Sequence, residues 1–254
     1  MKTEKYYYQD MQASRLSARV VEWLPEKRTL VLDRTIAYPE GGGQVADQGV
    51  IVWADQQVRF EDVQKRGGFP LFHEAFPAIN VGTRVLHIIA EDEVAGLAGL
   101  QPGDDVEVCI DVERREQLSL SHTASHVVFM ALEQLRPALV QGLIGCSIRQ
   151  GAARFDFLVD ERIELAEVAA FEQRCAELVA QDLAVTLFPL ETHDEAWYWQ
   201  AGDCVMPCGG THLPSIGAVG PIELSRKRLG KNKERLSMRF PQAHYDLSRY
   251  HPAV

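Results

Sequence analysis

Two short stretches separated by roughly eighty residues constrain this chain most: His122-Thr123-Ala124-Ser125-His126 and Cys208-Gly209-Gly210-Thr211-His212. In each, two side chains able to bind a metal stand four apart. That spacing places both on one face where the backbone is helical, at about 3.6 residues per turn. A lone His-x-x-x-His is a weak signal, because imidazoles one turn apart often make only ordinary hydrogen bonds. The second pair completes a set of three imidazoles and a thiol, which suits tetrahedral zinc and not calcium or magnesium, with their preference for oxygen. The expected fold must therefore bring His122, His126, Cys208 and His212 around one Zn2+ per chain.

Neighbouring residues disfavour two zinc chemistries. Thr123 follows the first histidine where a zinc peptidase of the His-Glu-x-x-His type needs its glutamate base. A deaminase needs His-x-Glu and Pro-Cys-x-x-Cys, whereas Pro207-Cys208 is followed by Gly209, Gly210 and Thr211.

At 254 residues the chain suits one large domain or two of ordinary size. No apolar run is long enough to span a bilayer, and Met1-Lys2-Thr3-Glu4-Lys5-Tyr6 is unlike a signal peptide, so a soluble cytoplasmic protein without membrane partners is expected. Five cysteines (Cys109, Cys146, Cys175, Cys204, Cys208) form a poor disulfide framework and fit reduced thiols, one of them a ligand. The formal charge of −10 argues against nonspecific coating of nucleic acid, DNA included. Charge is segregated, however: Arg226, Lys227, Arg228, Lys231, Lys233, Arg235 and Arg239 share one short run with a single acid, Glu234.

Along the chain, Ser14–Val20 and Thr29–Asp33 read as strands joined by a turn near Pro25. Tyr38-Pro39-Glu40-Gly41-Gly42-Gly43-Gln44 cannot hold an element interior; it is a loop where the main chain turns sharply or approaches a ligand, or a plain barrel loop. Val50–Trp53, Gln57–Phe60, Arg84–Ile89 and Asp105–Ile110 read as further strands, with Pro102-Gly103-Asp104 a turn. Residues 1–112 are thus expected to form a small β-barrel or sandwich, in which His73 and His87 are structural or surface groups. A helix is expected over Glu116–Leu135, ended by Pro137, with the His pair facing inward. A strand over Ala153–Val159, a helix over Leu165–Leu183 and a strand from Thr186 follow. Trp197-Tyr198-Trp199 is expected to pack against the metal loop. The fold class is α+β, with a second domain over 113–254.

These motifs, in this order, resemble the editing domain of alanyl-tRNA synthetases and the free-standing AlaX proteins. The resemblance rests on Tyr38–Gln44 with Asp47-Gln48-Gly49, Asp111–Arg115, His122–His126, Arg154-Phe155-Asp156-Phe157 and Cys208–His212, and covers nearly the whole chain. Nothing resembles the aminoacylation domain, so the free-standing type fits best. The resemblance implies a β-barrel followed by an α/β-sandwich deacylase domain that removes serine, and in some members glycine, from mischarged alanine tRNA. It carries the zinc ligands onto His122, His126, Cys208 and His212. It makes Gln44 the first-half residue expected at substrate, and it sets Arg226, Lys227, Arg228, Lys231, Lys233 and Arg235 as phosphate contacts of the tRNA acceptor end. Some members carry a pocket hydroxyl near Cys146 and Ser147.

Aminoacyl esters are already activated, so a metal need only orient substrate and assist a water. Four protein ligands normally close a zinc site, whereas catalytic zinc keeps a position open. A loose ligand, a five-coordinate ion, or zinc holding the amino group while a ribose hydroxyl activates water would each resolve this. Sparing alanine requires a group that hydrogen-bonds the serine hydroxyl, and Gln44 and Thr123 are the expected catalytic candidates. Competing readings are a tRNA-binding module with structural zinc, and an editing deacylase for another tRNA such as threonine tRNA.

Overall fold

The computed structural model describes residues 2–76 and 79–253. Six strands, β1 (Ala13–Leu24), β2 (Thr29–Leu32), β3 (Gly49–Trp53), β4 (Gln56–Arg66), β5 (Arg84–Ile89) and β6 (Asp105–Ile110), pair antiparallel in the order β6-β3-β4-β5-β2-β1. Strand β6 also pairs with β1, which closes the sheet into a barrel and removes its free edges. The alternation in β1 shows why: Leu16, Ala18 and Val20 are buried while Arg15, Ser17 and Arg19 face out. Leu30, Leu32, Ile51, Val85 and Val108 complete the barrel core. His87 is buried there, its Nε2 2.8 Å from Thr35 Oγ1, and burial pulls its pKa down to about 4.

Strand β4 runs six residues beyond Phe60, where the sequence reading stops. Glu61–Arg66 has one apolar side chain, Val63, so its alternation is hidden; pairing with β5 supplies the order.

Helix α1 (Val112–Leu135) begins one turn before the expected Glu116, because Asp111 caps it by accepting from the Arg114 N–H at 3.0 Å. Residues 118–128 are all buried, so this helix is a central rod and not an amphipathic surface element. Pro137 follows its end and occupies the first turn of a short helix, Pro137–Gln141. Strands β7 (Leu143–Arg149) and β8 (Ala152–Leu158) come next, followed by α2 (Leu165–Val179). Helix α2 stops short of the expected Leu183, where Asp182 takes a left-handed φ of 43° and accepts from the Gly217 N–H. Strands β9 (Val185–Leu190), β10 (His193–Ala201) and β11 (Cys204–Pro207) form one antiparallel sheet. With β12 (Glu223–Gly230) and β13 (Lys233–Arg239), β7 and β8 build a second, in the order β7-β8-β13-β12.

Both helices share one core with this second sheet, in which Ala124, Val127, Val128 and Leu132 of α1 and Phe171 of α2 meet Phe155, Phe157, Leu236 and Met238. The two halves are tied at several points. Lys5 forms a buried ion pair with Glu195, at 2.5 Å, and His251–Pro252 pairs in parallel with β1. Among the described residues, no helix is long and apolar enough to cross a membrane.

Candidate metal centre

Helix α1 presents His122, Ser125, His126 and Phe129 on one face, at the i, i+3, i+4, i+7 spacing. Opposite it, the chain leaves β11 and carries Cys208 and His212. This second pair does not lie on a helix: residues 208–214 are irregular backbone, and the ligands converge because the loop folds around the first pair. The ligand atoms of His122, His126, Cys208 and His212 all lie within 4.8 Å of one another. Cys208 Sγ stands 3.5 Å from His122 Nε2 and 3.3 Å from His212 Nε2. The His122 and His212 rings are 4.2 Å apart.

A cation fits this set. Burial drives all three imidazoles toward the neutral, ligating form, His122 down to about 3 and the other two well below their ordinary value. Burial also pushes the Cys208 thiol up to about 12, so a thiolate there needs a compensating cation. His126 Nδ1 is buried with no hydrogen-bond partner among the described residues.

Two of the three imidazoles, His122 and His212, are held from behind. Gln44 Oε1 accepts from the Thr211 N–H at 3.1 Å and lies 2.7 Å from His122 Nδ1. That nitrogen must therefore be the donor, which leaves Nε2 free to ligate. The Gln44 amide donates to Thr211 Oγ1. Thr123 Oγ1 accepts from the Leu213 N–H and lies 3.2 Å from His212 Nδ1. Sequence reasoning sets Gln44 and Thr123 against substrate. The structure buries both completely and turns their polar atoms to ligand histidines and the metal loop, and neither lines the cavity below.

Glycine makes the approach possible. A Cβ on Gly210 would stand 2.1 Å from His122 Cε1, and one on Gly43, at φ +86°, 2.4 Å from Cys146 Sγ. Gly43 O accepts from the Ile148 N–H and Val45 N donates to Ile148 O, which stitches the glycine loop to β7. Gly210→Ala is therefore expected to displace His122. Elemental analysis should find metal well below one ion per chain, with the fold retained by circular dichroism.

The ligands open into a cavity of about 500 Å³, a size ordinary for small-molecule sites. Its walls include Phe129, Phe155, Met206 and Trp197, and Tyr8 stacks on Trp197 at 4.9 Å. Trp199 is fully buried with its ring 4.6 Å from that of His126, so it packs against the metal group as expected. Cys146 lines the cavity. Tyr38, from the glycine-loop motif, also lines it; so do Lys5, Tyr8, Lys65 and Glu195, which sequence reasoning missed, with only the run Tyr6-Tyr7-Tyr8 offering a signal.

The basic run lies on the β12–β13 hairpin. Lys227, Arg228, Lys231 and Lys233 are exposed without an acidic partner among the described residues. Arg235 is paired with Asp156 at 2.6 Å, and Arg226 lies 3.7 Å from Glu234.

The family model described as tRNA synthetases class II (A) matches residues 5–93, the stretch that holds the glycine loop but none of the four ligands. The chain is 31% identical to the alanine–tRNA ligase of Halobacterium salinarum over 268 residues, which is 92% of this chain and 26% of that protein. It is 31% identical to that of Methanopyrus kandleri, again over 92% of the chain, and 30% identical to that of Pyrococcus furiosus. The chain spans about a quarter of the length of the curated relatives it matches.

Proposed function

We propose that this chain, a relative of one segment of the alanine–tRNA ligases and similar to their editing domain, is a zinc-dependent aminoacyl-tRNA deacylase. Its substrate in this reading is alanine tRNA mischarged with serine, and next with glycine. The observation that carries the reading is the four-ligand group set in the wall of a largely apolar cavity.

His122, His126, Cys208 and His212 would hold the zinc, which when bound would supply Lewis acidity at the cavity wall. The chain's own residues do the rest. Gln44 holds the His122 ring, and Thr123 meets His212 from behind. The Tyr8–Trp197 stack offers a flat surface to the terminal adenine, and the aromatic walls exclude bulk water. Glu195 is the one carboxylate among the described lining residues. Its oxygens are taken by Lys5, the Gly82 N–H and Thr83, which leaves no carboxylate base. An activated ester needs none beyond a well-placed water.

Gln44 and Thr123, expected from the sequence to meet the serine hydroxyl, are in this reading positioning residues for His122 and His212. Ser125 and Cys146 are among the cavity groups able to meet a serine hydroxyl. Ser125 already donates to His122 O, so its oxygen is left as an acceptor. The exposed hairpin cations contact phosphates and position the acceptor end.

The test is release of labelled serine, glycine or alanine, each charged on alanine tRNA. Fast loss of serine with alanine spared is the expected result. The closed set of four protein ligands favours a second reading, a tRNA-binding module with structural zinc. No release of any amino acid, together with unfolding on chelation, would select it. Release of serine from threonine tRNA alone would move the substrate.

A further inference from the structure

Beside the metal cavity lies a second, more open chamber of about 550 Å³, lined by Glu40, Gln64, Lys65, Arg66, Asn80 and Thr83 among others. The two share Gly42, Lys65, Ile79 and Asn80 as a common wall. Their chemistry differs: the first is largely aromatic and apolar, the second polar. Two lysines reach the first chamber. The Lys5 ammonium is neutralised by Glu195 at 2.5 Å, whereas Lys65 has no acidic partner and no hydrogen bond among the described residues. Its Nζ lies over the glycine loop, 3.3 Å from where a Cβ on Gly41 would stand, so the missing side chain makes its place. Arg66 beside it also lacks an acidic partner among the described residues, and Glu40 is the one acid in the second chamber's wall. Lys65 thus stands at the junction of the two chambers without a direct ion-pair partner; Glu195 acts on it only at longer range, and Lys5 repels it.

We propose that the second chamber binds the 5′-phosphate of the terminal nucleotide, with Lys65 as its counter-charge and Arg66, Gln64 and Asn80 as flanking donors. This rests on the deacylase reading and adds how substrate lies. An ester on the 2′ or 3′ oxygen of a ribose sits on the side away from C5′. With the ester at the ligands, the C5′ side of the ribose points away from them, and Lys65 on the wall that both chambers share is the cation placed to take the phosphate.

The experiment is calorimetric titration of adenosine, AMP and the dinucleotide CpA into metal-loaded wild type, Lys65→Ala and Lys65→Arg. Wild type should bind AMP and CpA about tenfold or more tighter than adenosine, the worth of one charge-assisted contact. Lys65→Ala should lose that advantage without weakening adenosine, and Lys65→Arg should keep most of it. Added salt should weaken CpA binding to wild type, and this salt dependence should shrink in Lys65→Ala, which a merely structural role would not produce. Equal affinity for adenosine and CpA, binding of none of them, or an advantage that survives Lys65→Ala overturns the assignment. An advantage dependent on Lys65, in a protein that releases no amino acid from any charged tRNA, would sink the deacylase reading and leave the phosphate chamber standing.

Discussion

Cys208→Ala is expected to abolish serine release from mischarged alanine tRNA and to strip the metal. Cys208 is the one member of the group that brings negative charge to a dication; the other three are neutral imidazoles. Structural zinc sites bind with about 10–16 kcal/mol, so an equal share for one ligand corresponds to about 10²–10³-fold in affinity. Gln44→Ala should do less, about 10–100-fold, because it loosens an imidazole without removing a ligand. The pH dependence separates loss of a ligand from general damage. In the metal-free protein burial pushes the thiol up to about 12, so metal loading at neutral pH must displace its proton and wild-type affinity rises with pH. The imidazoles, with His122 at about 3, are already neutral and contribute no slope there. Cys208→Ala should therefore flatten the dependence as well as weaken binding. A variant that keeps one tightly bound ion and full turnover would mean that the site is made by three histidines with an open position.

The convergence of His122, His126, Cys208 and His212 into a group that could hold a metal was legible because metal chemistry restricts residue types and because α1 has the period that makes a four-residue spacing meaningful. The second pair was legible for a partly different reason from the one its spacing suggests. Cys208 and His212 meet on irregular backbone, held there by Gly210 packed against His122, a contact that no local periodicity encodes. The barrel strands showed themselves wherever alternation was clean, as in β1, and disappeared wherever charge covered both faces, as in the second half of β4. The roles of Gln44 and Thr123 depend on which way their side chains point in three dimensions. Their identity marks them as hydrogen-bonding groups, and only packing shows that the bonds go to His122 and His212. Lys5, Lys65 and Glu195 were invisible for a related reason. They come from strands and loops far apart in the chain, and a lysine in a strand normally signals a solvated face.

The largest expected loss of stability comes from Asp47→Ala. Asp47 and Arg115 form an ion pair with both side chains fully buried, and Arg115 also donates to Met11 O at 2.8 Å and Ile36 O at 2.7 Å. The pair fastens the first turn of α1 to the barrel. Asp47 additionally closes the glycine loop, accepting from the Tyr38 N–H at 2.6 Å while its own N–H donates to Tyr38 O. Removing the carboxylate leaves a buried guanidinium uncompensated, which costs about 3–5 kcal/mol. For a chain of this length that is a fall in Tm of roughly 6–20 °C, measured by circular dichroism with metal held in excess. Buried ion pairs can often be replaced by apolar groups of similar volume without loss, so the double variant Asp47→Leu, Arg115→Met should recover much of the Tm. It should not recover metal affinity, because no apolar side chain can accept from the Tyr38 N–H and hold the loop that carries Gln44 behind His122. A double variant that regains both would mean that the loop is positioned by its pairing with β7 alone, and that the buried charges serve stability and nothing else.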